Sequence, residues 1–232
     1  PIYLCSDLII ENSEIFSCTS GIFDKDTGVR NIFRNNLVRN CEFGILLRSH
    51  NGNTALNQEA YSNIIRNCNQ QGIQLSGGAT SSSQDGIVRN NTIVDCGLNI
   101  FTASGTTVRL EVYDNVSRGA TGGDAIDDGG GWLQFCNYNL YHLSGVGYDG
   151  ANNVYADPLF VAALSNDYHL QVLSPARNAG RFGGTIGAYI LGTEVIGIEP
   201  TSSPSPLSHP TTAGSSLLGI AGRMDFGVLT RT

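Results

Sequence analysis

Apolar residues come along this chain in short bursts set between Gly, Asn and Ser, never at helical spacing over a helix-length window. One seven-residue phrase recurs at residues 12–18, 35–41, 62–68 and 90–96, each copy ending on a cysteine, with Cys-to-Cys steps of 23, 27 and 28. Units of this length that bury nothing alone must stack on their neighbours, which is the logic of a solenoid. A second burst follows each phrase at Ile22-Phe23, Ile45-Leu46-Leu47, Ile73-Gln74-Leu75 and Ile100-Phe101. A third precedes it at Leu8-Ile9-Ile10, Ile32-Phe33 and Ile87-Val88. Three strands per turn predict an all-β, right-handed three-sheet parallel β-helix from about Leu8 to Leu143, with an irregular C-terminal tail. Variation in step length is expected in loops at residues 48–61 and 76–85.

The repeat assigns faces. Ile15, Val38, Ile65 and Ile93 form one predicted inward column, and Ser13, Asn36, Asn63 and Asn91 form another. The asparagines fall where each coil turns, and their amides are suited to bonding between coils. Cys18, Cys41, Cys68 and Cys96 read as a ladder of buried free thiols. Parallel neighbours about 4.8 Å apart approach poorly for a disulfide, and a line of ligands is no zinc tetrahedron. The sequons at Asn90 and Asn115 are weak signals, the first lying inside the repeated turn.

Residues 137–189 carry a further ordered set: Asn137-Tyr138-Asn139-Leu140-Tyr141, Asp157-Pro158-Leu159-Phe160, Asp167-Tyr168-His169-Leu170, Ser174-Pro175-Ala176-Arg177-Asn178-Ala179-Gly180 and Ile186-Gly187-Ala188-Tyr189. This set resembles the closing segment of right-handed parallel β-helix proteins of the pectate-lyase-like superfamily. The resemblance implies the C-terminal portion of a secreted bacterial-type protein with further coils before Leu8. It also implies substrate laid along one sheet face. Thr185 and Ile190 stand where the family carries acidic residues.

Composition fits this reading. The 232 residues include 29 glycines and only 14% charged residues, a poor stock for exposed helices. A net charge of -7, with scattered cations, excludes a nucleic-acid stripe. No apolar run is long enough for a membrane span. Residues 1–196 are expected to form the β-helix domain, and residues 197–232 a Ser/Pro/Thr-rich linker and tail.

If Ile22, Ile45, Ile73, Ile100 and Ile126 point inward, alternation turns Lys25, Arg48, Gln74, Asn99, Phe101 and Asp127 outward as a glycan-binding row. Asp124, Asp127 and Asp128 between glycines could hold Ca²⁺, although Asp and Gly also serve turns for backbone reasons. Arg48, His50, Asp127 and Asp128 are the candidates for acid, base or charge stabilisation. The other arginines repeat in columns, Arg34 with Arg89 and Arg39 with Arg66, which favours pairing with exposed acids.

Two functions stay open. One is an extracellular structural or adhesive surface component, filamentous or phage-tail-like, that binds polysaccharide along one solenoid face and self-associates through its tail. The other is a polysaccharide lyase or glycoside hydrolase acting on an acidic glycan. Fold alone does not choose between them.

Overall fold

Short bursts bounded by turn residues make short strands, and stacking in register makes sheets. The computed structural model describes residues 2–3, 5–25, 28–49, 54–77, 83–103, 106–127, 133–147 and 150–189. The first sheet orders β1 (Ile2–Tyr3), β4 (Ser20–Lys25), β7 (Phe43–Ser49), β10 (Gln71–Gly77), β13 (Leu98–Ala103), β16 (Asp124–Asp127) and β19 (Gly145–Gly147). The second orders β2 (Ile9–Glu11), β5 (Ile32–Arg34), β8 (Thr54–Tyr61), β11 (Ser83–Arg89), β14 (Thr106–Tyr113) and β17 (Phe135–Asn137). The third orders β3 (Glu14–Phe16), β6 (Leu37–Arg39), β9 (Ile64–Arg66), β12 (Thr92–Val94), β15 (Val116–Arg118), β18 (Leu140–His142) and β20 (Val154–Tyr155). Within the three sheets every pairing is parallel, for example β7 with β10 and β12 with β15. Among the described residues there is no α-helix, only two 3-10 turns.

The core is a set of like-on-like columns. Ile22, Ile45, Ile73, Ile100 and Ile126 stack in register on the first sheet, as expected. Phe33, Ala60, Val88 and Val112 line the second, and Val38, Ile65 and Ile93 the third, all fully buried. Each such isoleucine contributes about 1.5–3 kcal/mol by leaving water.

Two left-handed residues per coil turn the chain at the corners flanking the third sheet. At the corner between second and third sheets they are Asn12, Asn35, Ser62, Asn90, Asp114, Tyr138 and Asn152, with φ between 50° and 60°. Asn and Asp tolerate this region through short polar side chains. The next residue is the ladder asparagine, so the turn's dihedral sits one position before the column where it was expected. The N–H of Asn36 donates to Oδ1 of Asn63, that of Asn63 to Asn91, and that of Asn91 to Asn115, each at 3.0 Å. Asn139 and Asn153 extend the ladder. From Asn36 to Asn139 each Nδ2 also donates to a backbone carbonyl of an earlier coil, as from Asn91 to Ala60 at 2.9 Å.

The expected loops at 48–61 and 76–85 are largely strand. β7 and β8 run to Ser49 and from Thr54, and β10 and β11 run to Gly77 and from Ser83. Parallel pairing with the neighbouring coils carries these polar segments past the core.

The cysteines are free, and Cys41, Cys68 and Cys96 are buried as expected. Cys18 is the correction: it is exposed, because it is the first rung of the column. Burial pushes the Cys41 and Cys96 thiols up, which suppresses the reactive thiolate. Both sequon asparagines are buried, and Asn90 donates to the carbonyl of Thr185 at 3.0 Å. Neither is open to a glycan.

Residues 157–189 fold back over the third sheet. Phe160, Tyr168, Ala176 and Ile186 pack on Val94, Val116 and Leu140, with β21 (Phe160–Ala162) and β22 (Asp167–Leu170) as an antiparallel pair. Backbone N–H groups of Arg181 and Ala188 donate to Asp114 Oδ1 at 2.7 Å and to Thr92 Oγ1 at 3.0 Å. The tail, residues 197–232, and the self-association assigned to it lie outside the described residues.

Two outcomes follow. Asn91→Ala should cost about 2–4 kcal/mol in denaturant unfolding, because it orphans the buried N–H of Asn63 and the carbonyl of Ala60. In native thiol labelling followed by mass spectrometry, Cys18 should react quickly, whereas Cys41, Cys68 and Cys96 should react only on unfolding.

Candidate functional site

Each solenoid face presents a row of outward side chains, and the rows differ in what already occupies them. On the third sheet the row Phe16, Arg39, Arg66, Val94, Arg118 and His142 runs beneath or beside the closing segment. On the second, Glu11, Arg34, Tyr61, Arg89 and Tyr113 align. These are spent on one another. Arg34 bonds Glu11 at 2.6 Å and the Tyr61 hydroxyl at 2.9 Å, and Arg89 lies 4.0 Å over the Tyr61 ring and 3.4 Å from Glu59. Arg181 of the closing segment ends the stack, 5.1 Å from the Tyr113 ring centroid and 4.8 Å from that of Phe135. Arg39 likewise pairs with Glu14 at 2.7 Å.

The first sheet is different. Its outward row is Phe23, Leu46, Gln74, Phe101 and Asp127, and two residues further along each strand lie Lys25, Arg48 and Ser76. No closing-segment residue packs on it among the described contacts. Lys25 and Arg48 stand in register on neighbouring strands, two cations side by side. Arg48 makes no ion pair among the described residues, and its Nε is buried without a hydrogen-bond partner. Gln74 donates to the Ser76 hydroxyl at 2.9 Å. Leu46 is only 5% exposed, held down between its neighbours in the row.

Of the expected glycan row, Lys25, Arg48, Gln74, Phe101 and Asp127 share this face, and Asn99 does not. Asn99 is 0% exposed and turned inward. It stands in the column of Gly21, Gly44 and Gly72, at the corner where the chain has not yet begun to alternate. A side chain at Gly72 would meet Ile93 Cγ2 at 2.5 Å and the Asn99 carbonyl at 2.6 Å. At Asn99 the facing residue of the next coil is Ser117, which leaves room and accepts the Asn99 amide at 2.7 Å. Simple alternation missed this corner.

Of the catalytic candidates, Arg48 and Asp127 are described, and they lie three coils apart, about 14 Å along the axis at roughly 4.8 Å per coil. His50 and Asp128 lie outside the described residues. For Ca²⁺, Asp124 and Asp127 occupy opposite ends of the four-residue β16. Among the described residues no group of three metal-ligating side chains comes together. His169 pairs with Asp167 at 2.6 Å and stacks on Tyr189 at 3.9 Å, a structural use.

Three stacked parallel sheets and an asparagine ladder define a parallel β-solenoid. The chain matches the family model described as "Right handed beta helix region" over residues 2–139. It belongs to that family. Neither a curated protein nor a solved structure matches it.

Proposed function

We propose that this protein is an extracellular structural or adhesive surface component whose first-sheet face binds polysaccharide. The observation that carries the reading is the division of labour among the faces. The third is packed under the closing segment, the second is self-paired, and the first offers an extended in-register row in which Arg48, without an ion pair among the described residues, stands beside Lys25. An extended polymer matches a row repeated about every 4.8 Å better than a compact ligand does. The two adjacent cations suit carboxylate or sulfate groups, while Phe101 and Gln74 suit sugar rings and hydroxyls. Self-association, through the tail or the solenoid ends, is part of the same proposal, since a solenoid followed in sequence by a Ser/Pro/Thr-rich segment with apolar bursts is suited to assembly.

In affinity electrophoresis through gels carrying an acidic polysaccharide, Arg48→Ala should weaken retention about tenfold, the loss of one charge-assisted contact. Arg39→Ala on the third sheet should leave retention unchanged. Equal retention of Arg48→Ala and the parent protein would move the site off this face. Deleting residues 202–232 should lower the number of subunits per particle measured by light scattering. An unchanged number of subunits would remove the tail from assembly.

A further inference from the structure

The most deeply buried carboxyl group among the described residues is Asp24, at 0% exposure. It occupies an inward column of the first sheet whose next members are Leu47, Leu75 and Thr102. Its Oδ2 accepts from Asn31 Nδ2 at 2.7 Å and from Gln58 Nε2. Its Oδ1 is buried with no hydrogen-bond partner. Gly28 closes the site, since a Cβ there would sit 2.6 Å from Gln58 Nε2.

Asn31 is also what ties the first coil to the second. Its Oδ1 accepts the N–H of Leu8 at 3.0 Å, and its Nδ2 donates to the carbonyl of Cys5 at 3.0 Å. The same amide therefore serves Asp24 on one side and residues 5–8 on the other. No cation faces the carboxyl among the described residues. Lys25 on β4 and Arg48 on β7 belong to the outward columns of the sheet. Arg30 pairs with Asp7, Arg34 on β5 with Glu11, and Glu59 on β8 with Arg89. Asp85 on β11 precedes Gly86, the residue in register with Gln58, and it is an acid. The packed strand β1 carries no charged residue.

We propose that Asp24 is a pH-sensitive latch on the first coil, closed while its carboxyl is neutral and released when it ionises. A neutral carboxyl tolerates an apolar column and leaves Asn31 in place. An ionised one has two amide donors, an orphaned oxygen and no counter-charge, and it reaches water only if the first coil opens. Burial pushes this carboxyl above its ordinary value of 3.8, and the two amide donors partly oppose the rise. The sign follows: an acid raised in the folded state contributes stability that is full below its unfolded value and is lost as pH rises through the folded one.

Amide hydrogen exchange on the full chain tests this, corrected for intrinsic rates and followed from acid to neutral pH. Protection at Leu8 and at Val29, whose N–H donates to Cys5, should fall at least about tenfold, while protection at Asn91 stays level. Asp24→Asn keeps an acceptor for both amides, and Asp24→Leu restores the residue type of its column. Both should hold the first coil closed across the range. A flat profile in the parent protein, an equal fall at Asn91, or an unchanged fall in the folded Asn or Leu variant would each overturn the latch.

Discussion

Everything in this protein depends on coils meeting in register. A parallel β-solenoid has no turn-to-turn covalent constraint, so a slip of one residue would exchange inside for outside along an entire strand. The asparagine ladder prevents the slip. From Asn36 to Asn153, each rung's side-chain oxygen accepts the N–H of the rung before it, while the carbonyls of Asn36 to Asn139 accept backbone N–H groups of the next coil. Because the amides are buried, a displaced rung leaves donors and acceptors without partners, at about 1–3 kcal/mol apiece. The preceding left-handed residue, Asn35, Ser62, Asn90 or Asp114, sets the angle at which each rung is presented. Much of the chain's unusual wealth of asparagine is this pair of demands repeated.

Register then decides the surface. Once inward columns are fixed, like residues must also stack outside, and the faces acquire distinct characters. Arginines and tyrosines on the second sheet find each other and the glutamates of adjacent coils, ending at Arg181. The third sheet keeps apolar groups such as Val94 and Leu140 outward, which the closing segment covers. On the first sheet no closing-segment residue packs among the described contacts, and Lys25 and Arg48 stand side by side. The proposed function rests on this difference among the faces.

The repeat, the isoleucine columns, the buried thiols from Cys41 to Cys96 and the pairing of Arg34, Arg39 and Arg89 with acids were legible in sequence, because each is a local pattern copied at a fixed period; Arg66, whose Nε is buried without a hydrogen-bond partner among the described residues, departs from it. The later ladder residues Asn115, Asn139 and Asn153 were not found, although Asp114-Asn115, Tyr138-Asn139 and Asn152-Asn153 preserve the turn-then-asparagine pair. The terminal cysteine that marked the phrase is missing from those coils. Asn99 and Asp24 were misplaced or passed over for a different reason. Their burial depends on partners in other strands, Ser117 in one case and Asn31 with Gln58 in the other. Polar residues within strand bursts read as outward until such partners are known. The closing segment's return over the third sheet was likewise invisible, since its docking points, Thr92 and Asp114, look like ordinary strand and turn residues.

The central claim is that at the corner between second and third sheets a side-chain amide of the next coil holds the N–H of each ladder asparagine, beside the backbone bonds that its carbonyl accepts. Residue-resolved hydrogen exchange reads it directly at the backbone amides of Asn36, Asn63, Asn91 and Asn115. The account predicts that these corner amides exchange as slowly as those of the adjoining core strands, at Ile65 and Ile93. Exchange at the rate of exposed turns, with the strands still protected, would contradict it and leave the register to the apolar columns alone.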